Sequence, residues 1–208
     1  MEKNFIFSDT ETTGLEDKPK SFKKDFIQII QSGSILTDAS FERIDAQNVE
    51  CRPLPWTVPQ PGAYLVHKKI SSLDSNISHY QMMKDIYDTW EKWSDHKQSI
   101  FVTYNGHQFD EELYRRQFYW NLLPQYITNT NGNGRSDLYF LILLISYLYP
   151  DFIKFNMNDY DYPILKLDQI LPKIGVDVSD AHDALTDCEF MVHLIKYIYP
   201  KHSDLVED

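Results

Sequence analysis

Five residues in three short motifs have the types and spacing for metal-assisted chemistry on a phosphate ester. Asp9 and Glu11 lie two apart in Asp9-Thr10-Glu11-Thr12-Thr13-Gly14. Asp110 closes Asn105-Gly106-His107-Gln108-Phe109-Asp110. His182 stands five residues before Asp187 in His182-Asp183-Ala184-Leu185-Thr186-Asp187. In an extended strand residues i and i+2 share a face, so Asp9 and Glu11 repel each other unless a cation sits between them. Carboxylate oxygens suit Mg²⁺ or Mn²⁺ better than zinc. The four acids Asp9, Glu11, Asp110 and Asp187 therefore predict a cage for two ions. Two such ions about 4 Å apart can clamp the attacking and leaving oxygens of a phosphodiester. His182, just outside a helix, is placed to take a proton from the attacking water, since an imidazole titrates near neutral pH. Each motif alone has an ordinary reading: a polar turn, a helix N-cap, a solvated helix face, or one surface histidine among seven. Together, and in this order, they favour the cage.

The elements that must position these groups are legible in outline. The apolar run Phe5-Ile6-Phe7 predicts a buried strand that ends at Asp9 and delivers its carboxylates at the C-terminal end. Residues 26–36 predict a strand, a turn at Ser32-Gly33-Ser34 and part of a second strand. Residues 41–51 predict the next strand, so the first three form an antiparallel meander. Residues 53–62 hold four prolines and a glycine and predict an extended loop. Asp74 or Ser75 is the expected cap of a helix running through Met82, Met83, Ile86, Tyr87 and Trp90. Ile100-Phe101-Val102 predicts a buried strand leading to Asn105-Gly106, and residues 110–123 a helix with Asp110 in its first turn. Residues 129–134 predict a flexible loop. Residues 137–148 predict a hydrophobic helix stopped by Pro150, and 151–163 a loop. Residues 166–174 predict a short helix ended by Gly175, and 183–199 the last helix, with Asp183 as a cap and no catalytic part. The whole reads as one domain over residues 1–200 with a loose tail at 201–208.

A chain of 208 residues is long enough for one domain with a sizeable core. The net charge of −11 argues against long, tight, nonspecific grip on duplex DNA. The four cage acids account for part of that charge. The positive residues are clustered, as Lys18, Lys20, Lys23 and Lys24, then Lys68 and Lys69, then Arg115 and Arg116. A basic rim around an acidic hole fits this pattern. Aromatic residues make up 14% of the chain, enough for both core and base-stacking surface. The two cysteines, Cys51 and Cys188, have no metal-ligand spacing and predict reduced thiols in a reducing, cytoplasmic compartment. Residues 1–5 carry no signal-peptide pattern. The longest apolar run, 138–149, is too short to span a bilayer.

The three motifs resemble the pattern of the DEDDh exonuclease superfamily: Asp-x-Glu, then Asn-x(2–3)-Phe/Tyr-Asp, then His-x(4)-Asp. Beyond them the chain is similar to the nuclease domain of bacterial exonuclease I. The similarity runs through Pro59-Gln60-Pro61-Gly62-Ala63-Tyr64-Leu65, Glu111-Glu112, Arg135-Ser136-Asp137-Leu138 and Ala181-His182-Asp183-Ala184. It covers residues 5 to about 196. The resemblance implies an α/β, ribonuclease H-like fold with a mixed five-stranded sheet flanked by helices. It implies metal-dependent hydrolysis from the 3′ end of single-stranded nucleic acid, releasing nucleoside 5′-monophosphates. It makes Asp9, Glu11, Asp110 and Asp187 metal ligands and His182 the general base. Thr12 and Leu15 take the family's positions at the terminal nucleotide. Val66-His67-Lys68-Lys69-Ile70 resembles a segment that reads Val-His-Gly-Ile in proofreading relatives, so His67 is a candidate to pack on a base or sugar. Arg135 is a candidate phosphate contact, or else a partner for a nearby carboxylate such as Asp137. Exonuclease I has further C-terminal domains that enclose the strand, so high processivity is not expected of these 208 residues. Thr10 and Thr13 make the first motif look more like the proofreading branch, which leaves DNA and RNA both open. The alternatives are an exoribonuclease trimming short RNA and a noncatalytic binding module of the same fold.

Overall fold

The computed structural model describes residues 3–15, 27–94, 98–179 and 181–207. The lysines at 18, 20, 23 and 24, and Phe26, lie outside the described residues. Five strands form one mixed sheet in the order β3-β2-β1-β4-β5. They are β1 Asn4–Thr12, β2 Ile29–Thr37, β3 Arg43–Glu50, β4 Ser99–Thr103 and β5 Gly134–Asp137. The first three form the antiparallel meander, and β4 and β5 add in parallel on the other side of β1. The expected α/β architecture with a mixed five-stranded sheet is present.

Helices cover both faces. These are α1 Pro61–His67, α2 His79–Ser94, α3 Asp110–Trp120, α4 Leu138–Leu148, α5 Leu167–Ile170, α6 Ala184–Ile198 and α7 Ser203–Glu207. Ile6, Ile29, Leu36 and Phe101 pack with Met82, Met83, Ile86 and Trp90 of α2 and with Leu113, Tyr114 and Phe118 of α3. Their strand neighbours Phe7, Ile35 and Val102 pack on the opposite face with Leu138 of α4 and Cys188, Met191 and Ile195 of α6. A sheet buried on both faces needs apolar side chains at successive positions. That is why β1 and β4 read as unbroken apolar runs rather than as alternation.

Several local expectations differ from the structure. β1 does not stop at Asp9 but runs to Thr12, so both carboxylates stand on the strand, with Asp9 opposite Gly33 and Glu11 opposite Gln31. There is no turn at Ser32-Gly33-Ser34. β2 passes straight through and is buried along its whole length. Gly33 is there for space: a Cβ on it would sit 2.3 Å from the backbone of Ala184 and Leu185 at the start of α6. The long helix starts at His79 rather than near Asp74. A short 3₁₀ turn, Ile70–Asp74, precedes it, and the Ser78 hydroxyl accepts the Gln81 amide at 3.2 Å. Residues 53–62 are irregular as expected, but Pro61 opens α1, where its missing N–H costs nothing. Gly134, expected in a loop, opens β5. The tail is not loose, because α7 packs Leu205 and Val206 against the α4–α6 core. His202 is buried beside the Tyr149 and Phe152 rings. Among the described residues no helix is long and apolar enough to cross a membrane.

Candidate functional site

The site lies where β1 overruns its parallel neighbour. β1 pairs with β4 only as far as Phe7 opposite Val102, so residues 8–12 leave that edge open at the C-terminal end of the parallel pair. Open α/β sheets bind ligands at such ends. Phe7, Asp9 and Glu11 alternate onto the face covered by α6, whereas Ile6 and Thr10 face α3. The carboxylates therefore meet Asp187, one turn into α6. Asp110, at the first position of α3, is reached from the other face by the Thr10 hydroxyl, which donates to its Oδ1.

Donor atoms of Glu11, His182 and Asp187 all lie within 4.8 Å of one another. Asp9 joins them through charge. Burial first, then Asp110, Asp187 and Glu11, push its carboxyl well above the usual carboxylate range. Burial and Asp187 raise Glu11 to about 8, against the opposing pull of Lys69. Burial raises Asp110 to about 6, although it accepts hydrogen bonds from the Thr10 side chain and backbone. Burial also raises Asp187 to about 6, opposed by the His182 ring and the His182 backbone N–H. Four carboxyl groups sharing one desolvated place cannot all ionise without a cation. Hard oxygen donors in that arrangement fit Mg²⁺ or Mn²⁺. The donor set thus fits the divalent metal expected from the sequence.

Backbone devices hold the groups in place. Asp110 sits 7% exposed beneath the Asn105-Gly106 turn. Asn105 adopts a left-handed φ of 56°, which Asn tolerates better than most residues. Its amide, and that of His107, donate to the Asp137 carboxylate, which also caps α4. Gly106 is required by space, since a Cβ there would lie 2.8 Å from Asp110 Oδ2. His182 is exposed, with φ of 71°, in the short turn before α6. Asp183 caps α6 by accepting the Leu185 and Thr186 amides. It also receives Gln31 Nε2 at 2.9 Å and an ion pair from Lys69. Burial alone would raise the Asp183 carboxyl, but these donors hold it down at about 2.

The four expected substrate residues are placed unequally. The Thr12 hydroxyl donates to the Gly14 carbonyl at 2.8 Å and so shapes the turn after the strand. Leu15 is 66% exposed, while its backbone is fixed by Gln60, whose Oε1 accepts from the Leu15 N–H and whose Nε2 donates to the Leu15 carbonyl. His67 is only 5% exposed. Its Nδ1 accepts the Lys69 amide, so Nε2 carries the proton and faces the Thr12 carbonyl at 3.2 Å. Both ring nitrogens are thus used within the chain, and His67 ties α1 to the end of β1. Arg135 on β5 pairs with Glu111, not with Asp137.

A cleft of about 570 Å³ opens beside the acids. It is lined by Asp9, Asp187, His182, Tyr104, Asn105, Lys166 and Asp168, among others. Gln31, Lys166 and Asp168 have no part in the reading of the sequence, and Thr10, Gly106 and Lys69 enter it only as motif neighbours or as part of a basic cluster. Gly106 alone had a usable signal, an Asn-Gly pair at a strand end. The rest come from elements whose approach only the packing decides.

The chain is 29% identical over 213 residues to exodeoxyribonuclease I of Buchnera aphidicola from Schizaphis graminum, an alignment spanning 99% of this chain and 41% of that protein. It is 26% identical over 216 residues to exodeoxyribonuclease I of Escherichia coli K12, spanning 42% of that protein. The fold superposes on E. coli exonuclease I in complex with a dA16 oligonucleotide with a TM-score of 0.86, at 24% identity, over 99% of this chain and 42% of that one. A zinc-bound form of the E. coli enzyme with single-stranded DNA superposes at 0.84. No family model matches the chain. These findings place it close to the nuclease domain of exonuclease I, with the ribonuclease H-like sheet that the motifs implied. The chain spans about two fifths of the length of these relatives.

Proposed function

We propose that this chain is a metal-dependent 3′–5′ exonuclease that hydrolyses the terminal phosphodiester of single-stranded DNA and releases nucleoside 5′-monophosphates. The observation that carries the reading is the meeting of Glu11, His182 and Asp187 within 4.8 Å beside Asp9 and Asp110. Support comes also from the relatives, which are named exodeoxyribonuclease I.

Asp9, Glu11, Asp110 and Asp187 hold two Mg²⁺ or Mn²⁺ ions. When bound, such ions lower the pKa of water and neutralise charge developing on the scissile phosphate. His182, exposed at the cleft mouth, accepts the proton of the attacking water on a ring nitrogen. Thr10 fixes Asp110, and the Asp183 cap fixes the turn that carries His182. Leu15, with Thr12 shaping its turn, meets the terminal nucleotide, His67 braces that turn from within, and Arg135, paired with Glu111, is the candidate phosphate contact.

The test is digestion of 5′-labelled single-stranded DNA and RNA of matched sequence, with Mg²⁺ or Mn²⁺ and with EDTA, beside Asp9→Ala. A metal-dependent ladder shortening from the 3′ end of DNA, absent in Asp9→Ala, is expected. An active Asp9→Ala enzyme, or no cleavage of either strand by a folded wild type, would overturn the reading. Faster trimming of RNA would move the substrate class.

A further inference from the structure

Helix α4 is apolar on two sides. None of its residues, Leu138–Leu148, is charged. Leu138, Ile142 and Ile145 are buried in the core they share with α6. Phe140, Leu143, Leu144, Tyr147 and Leu148 stand on the other side, between 42% and 83% exposed. Their spacing is i, i+3, i+4, i+7, i+8, the stripe by which one helix packs against another. Leu205 and Val206 of α7 pack on the core beneath α4 and leave this stripe exposed. A helix facing only water on that side would carry charged and polar residues there.

We propose that this stripe pairs with the same stripe of a second copy of the chain, the two α4 helices lying antiparallel across a twofold axis. The inference does not depend on the exonuclease reading. A twofold contact is self-complementary, and Leu144, at the centre of the stripe, meets its own copy there. Antiparallel helices also set their dipoles against each other. Charge favours a second copy over a different partner. Each chain carries −11, so two copies repel except where they meet through uncharged surface, and α4 is such a surface. A different partner is selected by charge or hydrogen bonds, and the side chains of the stripe offer only the Tyr147 hydroxyl. The area also fits. At roughly 200 Å² for a fully exposed side chain of this size, the stripe holds on the order of 500 Å² of apolar surface per copy. That is enough for the apolar core of a standard interface of about 800 Å² per partner. The pairing borders each candidate site, because Asp137 caps α4 and holds the Asn105-Gly106 turn, and Tyr139 lines the cleft.

The test is sedimentation equilibrium of the chain at micromolar concentrations, beside Leu144→Lys and Tyr147→Lys. The wild type should show the mass of two chains, and added NaCl should tighten the pair by screening the like net charges. Each lysine should weaken pairing by on the order of tenfold or more. Tyr147 is 83% exposed, so Tyr147→Lys keeps its fold, as circular dichroism checks, even if Leu144→Lys does not. Disulfide trapping reads the orientation. Cys51 and Cys188 are buried, so an introduced cysteine is the one that copper phenanthroline oxidises. Leu144→Cys should cross-link to itself. Phe140→Cys and Leu148→Cys, about 12 Å apart along the helix, should cross-link to each other when mixed and not to themselves. A single-chain mass for the wild type would overturn the pairing and leave the stripe to a different protein. A two-chain mass unchanged in both folded lysine variants would place the contact elsewhere. Self-cross-linking of all three cysteine variants would overturn the antiparallel arrangement.

Discussion

A Cβ on Gly33, in the middle of β2, would lie 2.3 Å from the carbonyl carbon of Ala184, the first residue of α6. The Cys188 thiol donates to the Gly33 carbonyl at 3.3 Å, so the same glycine seats the helix twice. Asp187 belongs to the first turn of that helix, and its place beside Asp9 and Glu11 depends on how closely α6 settles on the sheet. Gly33→Ala should therefore cost at least the roughly 1–3 kcal/mol of an overpacked core. It should also remove nuclease activity below the melting transition, because α6 must shift. Thermal melting followed by activity at a temperature where the variant is folded checks both parts. A variant of wild-type stability and activity would refute the close seating.

Gly33 also shows why the sequence was only partly legible. Ser32-Gly33-Ser34 has the composition of a turn, and nothing within β2 reveals that a helix more than 150 residues later needs the space. The cage acids were legible because each motif fixes its chemistry locally, as a strand end or a helix start. Lys69, Gln31 and Thr10 were not, since their partners Asp183 and Asp110 lie on other elements and register alone brings them together. His67 was recognised, but its burial was not. A histidine in a loop and one plugged under a turn have the same neighbours in sequence. The end of the chain was misread for a related reason: Leu205 and Val206 are too few to show periodicity, yet they find a groove beside α4 and α6.

His182 stands outside the buried cluster, exposed and on the turn before α6, so its removal should spare the fold and the metal ligands. His182→Ala is expected to lower kcat by about 10²–10⁴-fold while leaving Mn²⁺ affinity within a few-fold of the wild type, as read by calorimetry. Loss of metal binding in step with activity would instead make His182 a ligand.

The crowded carboxyl groups predict an unusual dependence of stability on pH. Burial, with repulsion from neighbouring carboxylates, raises Glu11 to about 8 and Asp110 and Asp187 to about 6, with Asp9 also raised. In the unfolded chain these groups titrate near their ordinary values, about 4. The metal-free folded state thus binds more protons than the unfolded one between about pH 4 and about pH 8, and its stability falls as pH rises through that window. Melting in EDTA should show Tm declining over this range, and Mg²⁺ should recover most of the loss at the alkaline end. A flat or rising Tm in EDTA would mean that the carboxyl groups are less crowded than the fold places them.

Asp183 has the opposite sign. Lys69, Gln31 and the Thr186 amide outweigh burial and hold it at about 2, so its contribution is present above about pH 4 and is lost as pH falls towards about 2. Two effects are separable there. Asp183→Ala removes the α6 cap, worth about 1 kcal/mol, and also leaves Lys69 unpaired with its side chain 18% exposed. Lys69→Met removes the ion pair but keeps the cap. Urea unfolding at neutral pH should therefore show the larger loss for Asp183→Ala. The double variant should lose less than the sum of the two, by a coupling of about 0.5–3 kcal/mol for residues in contact. Strictly additive losses would show that the pair does not fasten the turn carrying His182 to the segment after α1, and that the cap alone holds it.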